Sequence, residues 1–96
     1  MVKIFDVSHY DVTLPKWKAD LLESGIPTVT FYPYADLNVG GGMTSVYLLA
    51  ENEEEITEDV REHLIKQCSD YGEENARKVI PPLEKIKSYW RTQQEL

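Results

Sequence analysis

The chain has a single cysteine, Cys68, among its 96 residues. That excludes an internal disulfide, an all-cysteine zinc site and a CxxC redox pair. Long apolar runs are lacking as well, and nothing approaches the roughly 18 residues needed to span a bilayer. Lys3 and Asp6 interrupt the first apolar residues, so no secretory leader is expected and a cytoplasmic setting follows. Basic residues are few, ten Lys and Arg against seventeen Asp and Glu. The resulting formal charge of −7 disfavours direct binding to nucleic acid or to an anionic membrane. The only two histidines, His9 and His63, are far apart in sequence, so neither a metal nor a cofactor is expected.

What is present suits an ordinary globular chain. Hydrophobic residues at 42% and charged ones at 28% exclude a disordered or collagen-like polymer. The length supports one core, and residues 1–96 are read as a single domain.

The β-branched and aromatic run Val2 to Val7 predicts a first strand. Thr13 as N-cap, Pro15 near the first turn and the stop signals Gly25 and Pro27 predict a short helix over about 15–24. Pro27 to Tyr34 alternates apolar and polar residues as a second strand, with Pro33 at an edge or bulge. Met43 to Ala50 is a third, joined to the second as an antiparallel hairpin with an unusually long loop. Asn52 and Glu55 form a capping-box pattern ahead of a helical repeat, Ile56, Val60, Leu64, Cys68 and Tyr71, that stops at Gly72. Residues 76–80 read equally as strand or helix, because Pro81 and Pro82 restrict what precedes them. Leu83, Ile86 and Trp90 form the apolar stripe of a last helix.

The expected fold class is therefore α+β: a small mixed sheet in β-α-β-β-α order, covered by helices on one face, with a C-terminal helix. Were residues 76–80 a fourth strand, the order would be that of the split βαβ, ferredoxin-like plan. Such a plan implies no particular function.

Two surfaces stand out. Strands one and two run the same way in this arrangement, which brings His9 and Asp11 beside Tyr34, Asp36 and the loop of Gly40, Gly41 and Gly42. Crevices beyond strand ends often take ligands, His9 titrates near neutral pH, and successive glycines can aim N–H groups at an anion. The glycine run has neither Walker A nor dinucleotide spacing, and Ser8 beside His9 is no triad.

The other surface is electrical. Residues 51–62 carry Glu51, Glu53, Glu54, Glu55, Glu58, Asp59 and Glu62 against Arg61 alone. Helix-dipole complementarity accounts for carboxylates in a first turn. It does not account for the like-charge i,i+4 pairs Glu54 with Glu58, Glu55 with Asp59 and Glu58 with Glu62, which Glu62 with Lys66 offsets only once. As a continuous helix these residues would hold one negative charge per roughly 2.6 Å, against about 1.7 Å along duplex DNA.

Joined to the missing catalytic signature, this predicts a non-enzymatic adaptor, regulator or inhibitor. Glu54, Glu55, Glu58, Asp59 and Glu62 would face a basic protein partner, for instance one that normally grips nucleic acid. The rival is a small enzyme or anionic-metabolite-binding domain using the His9, Asp11 and glycine-loop end. A structural subunit is a third reading, with a homodimer formed through the strand edge near Pro33 and with Tyr34 or Trp90 docking a partner or second copy. Cys68 is read as a buried small hydrophobe.

Overall fold

The computed structural model describes residues 1–8, 13–33 and 44–94. In chain order they form β1 (Val2–Ser8), α1 (Lys16–Glu23), β2 (Thr28–Phe31) and β3 (Thr44–Ala50), then a 3-10 turn at Glu53–Glu55. After it come α2 (Glu58–Gln67), a second 3-10 turn at Ser69–Tyr71, α3 (Glu73–Val79) and α4 (Leu83–Gln94). The expected α+β class holds.

The strand order is β1-β3-β2. β3 lies between the other two and pairs antiparallel with both, Phe5 opposite Tyr47 on one side and Val29 opposite Leu48 on the other. The described sheet is thus antiparallel throughout and not mixed: β1 and β2 run the same way, but β3 separates them. Composition explains the choice of centre. Ser45, Val46, Leu48, Leu49 and Ala50 are all buried, so β3 can shed water on both faces, whereas β1 and β2 carry exposed positions among their apolar ones.

Alternation along the strands sorts side chains to two faces. Val29, Phe31, Val46, Leu48 and Ala50 meet Leu64, Ile65 and Cys68 of the α2 segment, Ala76 and Ile80 of the α3 segment, and Ile86 and Trp90 of α4. This is the core. Phe5 and Tyr47 stack on the other face at 5.7 Å, where Trp17 of α1 packs edge-on against Phe5 at 5.6 Å. Among the described residues α1 is therefore the one helix set against the opposite face, and it buries no residue completely.

The signals at helix ends were only partly the ones expected. Pro15, not Thr13, is the cap residue of α1, and its carbonyl accepts from Lys18 and Ala19. Gly25 follows the helix at φ 83°, the left-handed position that favours glycine. Asn52 does not open the long helix. Ile56 is buried and extended, so the chain makes one 3-10 turn, straightens, and restarts at Thr57, whose hydroxyl accepts from the Val60 N–H. Of residues 76–80, those up to Val79 are the end of α3 and Ile80 is its C-cap. Ile80 turns extended ahead of Pro81, as a residue preceding proline must.

Trp90 is not a docking residue. It is 4% exposed, and its indole N–H donates to the Ala50 carbonyl at 2.9 Å. Cys68 is buried as expected, and burial pushes its thiol up to about 11. Among the described residues no helix is long and apolar enough to cross a membrane.

Candidate interaction surface

The break at Ile56 and Thr57 divides the acidic segment in two. Glu53, Glu54 and Glu55 sit on the 3-10 turn, while Glu58, Asp59 and Glu62 sit on α2. The expected i,i+4 clashes of Glu54 with Glu58 and Glu55 with Asp59 are not helical pairs, because no common helix carries them. Only Glu58 and Glu62 share that relation on α2. The continuous charged rod is corrected to two short pieces.

The carboxylates also differ in what they face. Glu53 is half-buried and pairs with the Arg91 guanidinium of α4. That contact holds its carboxyl below the usual carboxylate range, against a smaller opposing effect of desolvation. Glu55 accepts from the Met1 ammonium at 2.6 Å and from Asn52 Nδ2 at 3.3 Å, and the ammonium is the main cause of its lowered pKa. One oxygen of Glu55, Oε2, is buried without a hydrogen-bond partner among the described residues. These two residues tie the acidic turn to α4 and to the start of β1.

Glu62 does not pair with Lys66. Both of its oxygens accept from the Arg77 guanidinium of α3, at 3.2 and 3.1 Å, and Arg77 also reaches Glu73 at 2.8 Å. The Arg77 contact lowers the Glu62 pKa. Glu58 lies 3.6 Å from Arg61, but Arg61 is chiefly a structural link, its Nε donating to the Pro81 carbonyl at 2.8 Å. Glu54 and Asp59 are exposed and make no ion pair among the described residues.

Of the partner residues expected from sequence, the structure therefore groups Glu54, Glu58 and Asp59 as outward anions. It withdraws Glu55 into the fold and shares Glu62 with Arg77. Between α2 and α3 a shallow depression of about 410 Å³ carries the acidic character onward, lined by Asp59, Glu62, His63, Lys66, Ser69 and Glu73. Arg77 and Arg91 are the residues that sequence reasoning missed. The Glu73 to Arg77 spacing of four was visible as a helical ion pair, but Arg91 lies 38 residues from Glu53 and no local pattern joins them.

The other candidate site, His9, Asp11, Tyr34, Asp36, Gly40, Gly41 and Gly42, lies outside the described residues. Among those described, no cluster of His, Cys, Asp or Glu is arranged to hold a metal ion. No family model, curated protein or solved structure matches this chain.

Proposed function

We propose that this is a small interaction protein, an adaptor, regulator or inhibitor working in a cytoplasmic setting, whose acidic surface engages a basic patch on a partner protein. The observation that supports this reading is the sorting of the carboxylates. Glu53 and Glu55 are spent on internal pairs, yet Glu54, Glu58 and Asp59 remain exposed around the start of α2. Glu54 and Asp59 make no ion pair among the described residues, and Glu58 has an exposed i,i+3 contact with Arg61. Grouped anions of this kind hasten association with a cationic surface and make it sensitive to salt. A partner built to grip nucleic acid has the complementary chemistry.

The test compares two variants. Capture of basic partners by Glu54→Gln/Glu58→Gln/Asp59→Asn should fall to background, while the wild type should release the same partners as salt is raised. Glu53→Gln/Glu55→Gln should lower stability but keep capture. Equal, salt-insensitive capture by the outward variant would remove the support for this role.

A further inference from the structure

The two outer edges of the sheet differ, and their hydrogen-bond phase follows from one contact. The Ala50 N–H donates to the Pro27 carbonyl at 3.4 Å, which makes residues 27 and 50 a hydrogen-bonded pair at the start of the β2–β3 ladder. Antiparallel strands alternate such pairs, so Val29 and Phe31 turn their backbone groups to Leu48 and Val46. Thr28 and Thr30 then point their N–H and C=O groups away from the sheet.

The same alternation sends the backbone groups of Ile4 and Asp6 to the outer edge of β1. That edge is blunted: the Lys18 ammonium occupies the Asp6 carbonyl at 2.8 Å, and Gln67 takes the Asp6 carboxylate at 3.2 Å. Lysine on an edge is a common way of discouraging strand addition. On the β2 side no strand or side chain takes up the Thr28 and Thr30 backbone groups among the described residues. A groove of about 410 Å³ runs between this edge and the α3 and α4 segments, walled by Tyr32, Lys78, Lys85 and Tyr89. It continues past Thr28 as a second depression of about 300 Å³.

Charge selects the occupant. Lys78 and Lys85 are exposed and form no ion pair among the described residues, and no carboxylate lines either depression. This is unusual in a chain of formal charge −7. We infer that the β2 edge accepts an extended acidic segment of a partner protein, added as a fourth strand. Its backbone would bond Thr28 and Thr30, alternate side chains would lie against Tyr89, and its carboxylates would meet Lys78 and Lys85. A second copy is the poorer fit: antiparallel β2 to β2 pairing about a two-fold would set α4 beside α4 and bring the same lysines of both copies together.

The probe is a short capped synthetic peptide alternating Glu and Val, with a Lys and Val peptide as control. Binding is followed by NMR together with the exchange rates of the Thr28 and Thr30 amides. The acidic peptide should slow exchange at both amides and the basic one should not. Lys78→Glu/Lys85→Glu should weaken binding about tenfold, the sum of two partly exposed charge contacts. Thr30→Pro removes an outward N–H that no described residue takes up and should abolish strand addition. Because proline could disturb β2, the lysine variant carries the decision if Thr30→Pro is unfolded. Absence of binding, unchanged amide exchange in the bound state, or equal affinity of the charge-reversed protein would overturn the proposal. So would protection of the same amides by self-association, seen as a doubled mass in sedimentation.

Discussion

Trp90 and Trp17 mark the two faces of the sheet and show how differently those faces are held. Trp90 is 4% exposed, bonded to Ala50 and part of the core that the α2, α3 and α4 segments build on one face of the sheet, whereas Trp17 is 52% exposed and meets the sheet at Phe5 in a T-shaped ring contact. Both sit on helices with apolar residues at helical spacing. What separates them is the number of elements converging on the same face: α2, α3 and α4 share one core, and α1 stands alone. Burial is a property of the assembly more than of the residue, which is why an apolar stripe by itself does not say how much a helix contributes.

The sharpest way to break this contrast is Trp90→Ala. It should cost about 3–5 kcal/mol, the usual loss for truncating a large buried aromatic, read as a lower midpoint in denaturant. Thr57→Ala tests whether the covered face also depends on where α2 begins, and loss of this N-cap should cost about 1 kcal/mol. Trp17→Ala should cost no more than about 0.5–1.5 kcal/mol, the range of an exposed aromatic pair. Iodide quenching supplies an independent check, since fluorescence in Trp90→Phe, which reports Trp17, should be quenched strongly and in Trp17→Phe only weakly.

The smallest effect concerns acid. Glu53, Glu55 and Glu62 all have folded pKa values below the ordinary 4.5. Their contribution is therefore complete above that value and is lost as pH falls through their lower folded values. Replacing Glu53 and Glu62 with Gln should flatten the acid limb of a stability profile measured below pH 4.5 and leave its neutral and alkaline parts unchanged in slope. An acid limb of wild-type steepness in that variant would show that these pairs do not report on folding.

Much of the architecture was legible locally. Gly25 followed the first helix where expected, the β2–β3 hairpin paired antiparallel, and Cys68 and Ile86 entered the core. The long helix, expected to run to Gly72, instead ends at Gln67, and a 3-10 turn over Ser69–Tyr71 leads to that glycine. The misreadings arose where a distant demand overrode a local signal. Asn52 and Glu55 look like a cap, but burial of Ile56 interrupts the helix and Thr57 supplies the working cap three residues before Val60. The mixed sheet failed on a matter of neighbours: β-propensity marks a strand without saying which one lies in the middle. The acidic surface was visible as composition, but its division into inward and outward carboxylates was not, because Arg77 and Arg91 reach it only after α3 and α4 have packed. The outward phase of Thr28 and Thr30 on β2 was hidden for a similar reason, since the direction of a backbone N–H is set by pairing phase and not by residue type.

The central place of β3 has a consequence for how the chain assembles as it leaves the ribosome. Of the described strands β1 is made first but has no neighbour to join until Thr44 and the residues after it have emerged, whereas β2 meets the same neighbour soon after its own synthesis. Early in translation β1 therefore waits, and among the described elements made before β2, α1 is the one that can shelter its apolar side chains. Mid-chain pauses that delay β3 would lengthen that exposure, and chaperone capture should concentrate on nascent chains stalled before Thr44.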